Sequence, residues 1–528
     1  MGPRMTLSEF ADGEPFDAVI IGGGINGCAI AEECAARGLR VALFEATDFG
    51  FGTTWRSTKL IHGGLRYLEH GDVRLVRESL RERAWLLATR PYLVTPQRFV
   101  LPMLPWSRRP GWQIRIGLAA YDLLALYKGV PSHRRLGRQR LNELAPQLPP
   151  EAENGYSFFD ARVHSPERLA LELALSAERF GAHIENHAPV TSIRSSGGSV
   201  TGVEVELEGE THFVPAKSVI NAAGPWVDAV NQHGGLPDVE LLGVTRGTHI
   251  VLDLPHPLGR DAVFSTAKSD GRVLFAVPQS GLLLFGITDE RFEGEPSTLR
   301  PTAEDVDYLL AEARELLPGF EITRENVRYA YAGLRPLQRV AGGPEAAISR
   351  RHAVVHHADS GGPRGMHSLV GGKLSTFRPL AEEVAKLLAA PRPRVRKTEN
   401  LAPGWRELLK ASPLQPRQKQ HLRIYGGAIE EILSLGSDSL CEHSGAIEGE
   451  VRYAARMEHV RSLADIMMRR TGISWGSCRG LCCDEAVAAI AAKELGWKAP
   501  ERKRQLKAFR AELDFHLPTL DLLEGATR

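Results

Sequence analysis

The chain has 528 residues, too many for one ordinary hydrophobic core, so two or three domains are expected. Lysine and arginine number 65 against 64 acids, and a formal charge of +1 gives no global electrostatic reason to bind nucleic acid. The six cysteines form no spaced framework, which fits a reducing cytosolic setting. Cys478, Cys482 and Cys483 lack a second ligand cluster, so they read as helix-packing residues and no metal is expected. The opening MGPRMTLSEFADGEP has no apolar h-region. The most apolar long segment, Ile116–Tyr127, is too short for a bilayer and contains Asp122, so a soluble or peripheral protein is expected.

In chain order, Phe16–Glu45 comes first: FDAVIIGGGINGCAIAEECAARGLRVALFE. An apolar run reads as a buried parallel strand, Gly22, Gly24 and Gly27 complete G-x-G-x-x-G, and a small-residue helix leads to a second strand ending at Glu45. The first glycine permits the tight turn, the second lets backbone approach a pyrophosphate, and the third allows close helix–strand packing. The helix N-terminus, beginning at Ile25 and Asn26, offers free N–H groups to that pyrophosphate, and Glu45 is placed to accept from ribose hydroxyls. Dinucleotide binding is the expectation.

Asp48–Glu69 is dense in glycine, hydroxyls and basic residues, which suits an ordered loop around an anionic cofactor. Asp72–Thr89 predicts a helix with Val73, Val76, Leu80 and Leu87 on its inner face. Trp112–Tyr127, entered through a Trp/Arg-rich stretch, suits either a membrane surface or a helix buried in its own protein. A helix over Ser165–Phe180 precedes strands over His183–Val214, and KSVINAAG reads as another terminal sheet strand. Leu242–Leu252, Val273–Val277, Leu282–Ile287 and Val327–Ala332 read as strands of a separate sheet, interrupted by a helix over Ala303–Leu316. Ser368–Leu388 gives strand, glycine turn and helix. Three prolines within 391–404 mark a linker, beyond which 405–528 is helical in pattern, most strongly over Glu450–Arg470.

GGGINGCAIA, STKLIHGGLRYLEHGDVRLVRESLRER, NAAGPWVD, GLRPL and GGKLSTFRPLAEEV resemble, in that order, segments of FAD-dependent, quinone-linked glycerol-3-phosphate dehydrogenases. The resemblance runs from about Phe16 to Lys386 and more loosely through MMRRTGISW. It implies an α/β fold: a doubly wound, Rossmann-like FAD-binding domain over 16–390, interleaved with an antiparallel-sheet substrate domain (roughly 90–160 and 240–340), then a helical C-terminal domain over 405–528. It implies oxidation of sn-glycerol 3-phosphate to dihydroxyacetone phosphate, with electrons passed from FAD to quinone. It further implies a cytoplasmic protein, peripheral on the inner face of the cell membrane, and leaves room for a homodimer.

The resemblance also assigns residues. Thr53, Thr54, Ser57 and Lys59 match the flavin-wrapping loop, with Trp55 standing where a smaller residue is expected. His62, Gly63 and Gly64 lie beside the flavin, Ala223 and Gly224 at the strand end passing its adenine side, and Lys373, Leu374 and Ser375 at the last turn. A phosphate monoester needs fixed cations, and Arg66, Tyr67, Arg335 and Arg350 match the family's substrate residues. Arg351 neighbours Arg350, so which of the two faces the substrate is left open. His249 is the expected base, Arg335 the cation that stabilises the developing alkoxide, and Lys373 the lysine near flavin and substrate. Thr288 remains from a GTTD pattern in which Ile287 replaces a hydroxyl. Non-covalent FAD is expected. Two other readings are a soluble oxidase passing electrons to oxygen and an amine or amino-acid oxidase of the same flavin fold. A non-enzymatic FAD protein would leave Arg66, His249, Arg335 and Lys373 without a joint purpose.

Overall fold

The computed structural model describes residues 13–65, 68, 71–125, 129–236, 240–256, 258–339, 351–391 and 401–525. Its first sheet has six strands, ordered Ala353–His356, Met366–Val370, Val219–Asn221, Ala18–Ile21, Val41–Phe44 and His183–Glu185, all parallel except the first. The central strands are wholly buried, which is why they read as unbroken apolar runs. Helix Ile25–Ala36 packs on this sheet between Pro166–Arg179 and Phe377–Leu387. Its closeness depends on Gly27, where a Cβ would fall 1.9 Å from the Gly22 carbonyl oxygen.

A second sheet is mostly antiparallel and includes Val94–Pro102, Asn154–Val163, Leu242–Leu252, Val273–Gln279, Leu282–Gly286 and Val327–Gln338. Its one parallel pairing joins Ala262–Thr266 to Val94–Pro102. Three further strands, Val190–Ser196, Ser199–Leu207 and Glu210–Pro215, form a separate antiparallel sheet. The expected strands and the helix Ala303–Leu316 are all present.

Three expectations are corrected. Helix Val73–Thr89 turns Val73 outward, at 49% exposure, and buries Glu82 and Arg83. Those charges are tolerated because Arg378 pairs with Glu82 at 2.5 Å and Asp160 with Arg83 at 2.5 Å. Helix Gly111–Leu124 is not a buried one, since Leu118 and Tyr121 are its buried residues while Trp112, Ile116 and Leu123 are more than 60% exposed. The helix expected over Glu450–Arg470 stops at Met457. Glu458 turns inward to Arg168 at 2.6 Å, and the Asp465 carboxylate accepts the Arg461 and Ser462 amides at 2.9 Å each, starting a new helical turn over Asp465–Arg470.

Residues 392–400 of the linker, Pro393 among them, lie outside the described residues. Beyond them the chain is mostly helical but includes a hairpin, Ser439–Cys441 with Ala446–Ile447. This part shares its cores with what precedes it: Leu422, Ile429 and Ile432 join the cluster of Cys28 and Leu171, and Met467 and Trp475 join that of Trp55 and Tyr331. A buried ion cluster completes the join. Asp48 accepts from Arg469 Nε at 2.6 Å, from both Arg470 Nη atoms at 2.7 Å, and from Asn186 Nδ2 at 2.8 Å. MMRRTGISW therefore clasps the loop that follows the second strand.

Candidate active site

A cavity of about 780 Å³ runs along the C-terminal ends of the first sheet's strands and reaches the second sheet. That is where open α/β sheets hold ligands. At one end lie Glu45, Val190 and Val230; the Gly22–Asn26 turn forms the middle; Arg335, Lys373 and His62 are on the wall beyond.

The turn follows from its sequence. Gly22 has φ +106, and a Cβ there would sit 2.7 Å from the Ala222 carbonyl oxygen. A Cβ on Gly24 would meet only Thr54 Oγ1, at 3.5 Å, so that face is open to a ligand. The helix that begins here has no side-chain cap. Its Ile25 N–H donates to Thr54 Oγ1 at 3.0 Å, and Asn26 Oδ1 is buried with no hydrogen-bond partner among the described residues. Glu45 ends the second strand, where it accepts the Gly23 amide at 2.6 Å and the Thr47 amide at 2.9 Å. Burial raises its pKa above the usual carboxylate value.

Across the cavity, Thr53 donates to the Leu334 carbonyl at 2.6 Å, and the Gly371 amide donates to Pro336. Arg335 is thereby set beside the Gly371–Gly372 turn that precedes Lys373. Its guanidinium meets Asp289 at 2.7 Å and the Thr288 carbonyl at 3.3 Å. Ser57, Ala223, Gly224, Leu374 and Ser375 also lie on the wall.

Several expected site residues are placed differently. His249 is fully buried and not on the wall. It stacks on Tyr331 at 4.8 Å, and its Nε2 lies 2.9 Å from Oγ1 of Thr58, which does line the cavity. Burial first, then the Arg335 and Lys59 charges, push its pKa down to about 3, so it is neutral but not poised near pH 7. Lys59 turns inward: its Nζ is 3.8 Å from Glu167 and 3.7 Å from the centre of the Trp475 ring, and burial brings it down to about 8. Gly63 and Gly64 are off the wall; the Gly63 amide donates to Tyr121, which donates to Asp160. The Thr288 hydroxyl is buried and accepts the Thr248 amide at 2.8 Å. Gly27 packs beneath the turn. Arg66, Tyr67 and Arg350 lie outside the described residues.

The wall also holds residues the sequence reading passed over. Thr58 stands inside the same STKLIHGG motif as Ser57, Arg56 immediately before it, and Trp226 inside NAAGPWVD. Glu512, Phe515 and His516 come from helix Ala499–His516, whose sequence carries no local cofactor signal. Trp55, the oversized loop residue, fits because it packs against Trp475 at 5.4 Å and donates to the Phe51 carbonyl at 2.6 Å. Ile287 sits against Gly247 beside Arg335, where a Cβ on Gly247 would come within 2.7 Å of its Cδ1.

Residues 17–378 match the FAD dependent oxidoreductase family, and residues 373–502 match the C-terminal domain of alpha-glycerophosphate oxidase. A glycerol-3-phosphate dehydrogenase from Synechocystis sp. is 34% identical over 94% of this chain and 96% of that protein. The chain belongs to the FAD-dependent glycerol-3-phosphate dehydrogenase family. A D-erythritol 1-phosphate dehydrogenase from Brucella abortus is also 34% identical, over 87% of this chain and 95% of that one. The solved glycerol-3-phosphate dehydrogenase from Bacillus halodurans, complexed with FAD, superposes with a TM-score of 0.75 at 27% identity, covering 97% of this chain and 96% of that one. As in that family, the cofactor is FAD. The residues fit it: a glycine turn open toward the cavity, an uncapped helix N-terminus, the unpartnered Asn26 Oδ1 and Glu45 together match a dinucleotide's diphosphate and ribose.

Proposed function

We propose that this enzyme oxidises sn-glycerol 3-phosphate to dihydroxyacetone phosphate and passes the electrons to quinone at a membrane surface. The observation that carries the substrate reading is the meeting of Arg335, Lys373 and the Thr58–His249 pair at one end of the dinucleotide cavity. Glu45 would hold the ribose of FAD, the Gly22–Asn26 turn its diphosphate, and Thr53, Thr54 and Lys373–Ser375 its flavin end. Bound FAD supplies the hydride acceptor.

The chain's own groups bind the anion and move the proton. Arg335, fixed by Asp289 and the Thr288 carbonyl, offers a rigid fork to a phosphate or to the oxygen developing negative charge. His249 acts from behind the wall. With Nε2 as acceptor, it takes the Thr58 proton while Thr58 takes that of the C2 hydroxyl. A dianion bound near Arg335 offsets the cation that depresses His249 and raises its basicity when substrate is present.

The membrane reading rests on helix Gly111–Leu124. Trp112, Ile116 and Leu123 fall at helical spacing on one exposed face, with Arg108, Arg109 and Arg115 exposed nearby. That pairing of apolar face and basic flank suits an anionic lipid surface. Among the described residues no helix is long and apolar enough to cross a membrane.

Anaerobic addition of sn-glycerol 3-phosphate should bleach the flavin absorbance, whereas glycerol should not. Equal bleaching by both would overturn the phosphate reading, and preference for an erythritol phosphate would move the substrate to a longer polyol phosphate. Turnover with a soluble quinone analogue should exceed turnover with oxygen; the reverse result makes the enzyme an oxidase.

A further inference from the structure

The four cysteines of the C-terminal part, which in sequence have no partner cluster, meet in space. Hairpin residue Cys441 and the loop residues Cys478 and Cys482 form a triangle of sulfurs, with edges of 3.6 Å (Cys441–Cys478), 3.6 Å (Cys441–Cys482) and 3.3 Å (Cys478–Cys482). These separations are far beyond a disulfide bond of about 2.05 Å. They approach the edge of about 3.8 Å that tetrahedral geometry gives four sulfurs lying about 2.3 Å from one zinc ion. His443, two residues after Cys441, brings a ring nitrogen within 4.8 Å of both Cys478 and Cys482 sulfurs.

The surroundings are those of metal-binding thiolates. The Ser444 amide donates to Cys441 Sγ at 3.3 Å and the Gly480 amide to Cys478 Sγ at 3.4 Å. Both bonds favour sulfur carrying negative charge over a neutral thiol. Helix Asp484–Leu495 begins directly after Cys483, so its positive end faces the cluster.

We propose that Cys441, His443, Cys478 and Cys482 bind a single zinc ion that pins the 439–447 hairpin to the loop entering helix Asp484–Leu495. His443 is the fourth ligand because its Nδ1 lies 3.1 Å from Ser477 Oγ, the outer-shell bond that orients an imidazole and leaves Nε2 for a metal. Cys483, whose sulfur also lies within 4.8 Å of those of Cys441 and Cys482, instead donates its thiol proton to the Gly480 carbonyl at 3.4 Å. Three mutually touching sulfurs suit one ion; a two-iron cluster would spread its ligands over two metal centres. The site is structural, because four protein ligands close the coordination shell and leave no position for substrate. Between the two pinned segments lies Trp475, which packs on Trp55 and Lys59 beneath the flavin loop.

The test is elemental analysis of the purified full-length holoenzyme, together with a thiol count after denaturation in chelator. About one zinc per chain with all six thiols free is expected. Cys478→Ser and His443→Ala should lose most of the zinc, whereas Cys483→Ser should keep it. Replacing zinc by cobalt in the wild type should give visible bands to the red of flavin absorption, a readout that stands even where a cysteine variant fails to fold. Metal-free protein with six free thiols overturns the proposal. So does a disulfide that lowers the thiol count, or iron accompanied by acid-labile sulfide. Zinc retained in His443→Ala but lost in Cys483→Ser overturns the ligand set.

Discussion

The two ends of the cavity are built in different ways. The end proposed for the adenosine and diphosphate is built mainly from one stretch, Gly22–Glu45, and works largely through bare backbone: a left-handed glycine, an uncapped helix start and one carboxylate holding two amides. The reacting end comes from four distant segments carrying Thr58 and His62, His249, Arg335 and Lys373. It is braced from behind by the C-terminal part, through Trp55 on Trp475, Arg56 on His516 and the Asp48 cluster. A local motif suffices to bind a cofactor common to many reactions. Choosing a substrate requires side chains whose positions depend on the whole fold.

The largest expected effect separates these ends. His249→Ala should slow flavin reduction by about 10²–10⁴-fold while leaving FAD in place, because in the proposed role of proton acceptor it acts in the transition state, away from the glycine turn. Thr58→Val should reproduce much of that loss, since the hydroxyl is the link between His249 and the cavity. Arg350→Ala, which removes an expected phosphate anchor, should mainly raise KM. The check is stopped-flow reduction over a range of substrate concentrations. A His249→Ala limiting rate equal to wild type would move the base to another group on the wall.

Next comes the brace. Asp48→Ala removes the carboxylate that Arg470 meets with both Nη atoms, leaving a wholly buried guanidinium without it. Breaking a buried pair from one side costs about 3–5 kcal/mol. Urea unfolding at saturating FAD should show that loss. A shift in midpoint no larger than that of an exposed control such as Glu206→Ala would mean that the C-terminal part is held mainly by its apolar contacts.

Legibility follows the same division. The first strand, turn, helix and Glu45 could be read directly, because each is specified by neighbours in sequence. The second sheet was legible in outline from alternating or apolar runs, but its strand order was not, because pairing between distant strands leaves no local mark. Arg335 and His249 emerged only through the family resemblance, and that resemblance did not reveal that His249 stands behind Thr58, since burial depth is a property of packed sheets. Phe515 and His516 carried no signal at all: a helix that is polar over most of its length discloses nothing about which end touches a cofactor cavity. The cysteines illustrate the limit most simply. Cys441 and His443 stand 35 residues or more from Cys478 in sequence and are joined to it by a hairpin that the helical pattern gave no reason to expect.

A smaller effect probes the backbone-built end. Glu45→Gln keeps the shape but removes the charge that accepts the Gly23 and Thr47 amides and stands ready for the ribose. FAD binding should weaken by about 1–3 kcal/mol, with the limiting rate of flavin reduction unchanged once FAD is saturating. Fluorescence titration of the apoprotein with FAD measures this. Unchanged affinity would place ribose recognition elsewhere on the wall.

The smallest expected effect depends on pH and concerns His187, on the rim of the Asp48 cluster. Its Nε2 lies 3.0 Å from Asp465, whose carboxylate also meets Arg469. Burial pulls the imidazole pKa down, but the hydrogen bond and charge of Asp465 more than offset this, and the net shift is upward from 6.5. The folded state therefore binds the proton more tightly than the unfolded chain does. The pair's stabilisation is fully present below about pH 6.5, the ordinary imidazole value, and is lost as pH rises through the higher folded value. Because His187 is partly exposed, solvent screening keeps the effect modest, under about 1 kcal/mol. His187→Gln should thus be less stable than wild type at pH 6, and the gap between their urea midpoints should close towards pH 9. A gap constant across that range would mean that His187 contributes by packing and neutral hydrogen bonding, and that the charge balance of the clasp is settled by Asp48, Asp465 and the two arginines alone.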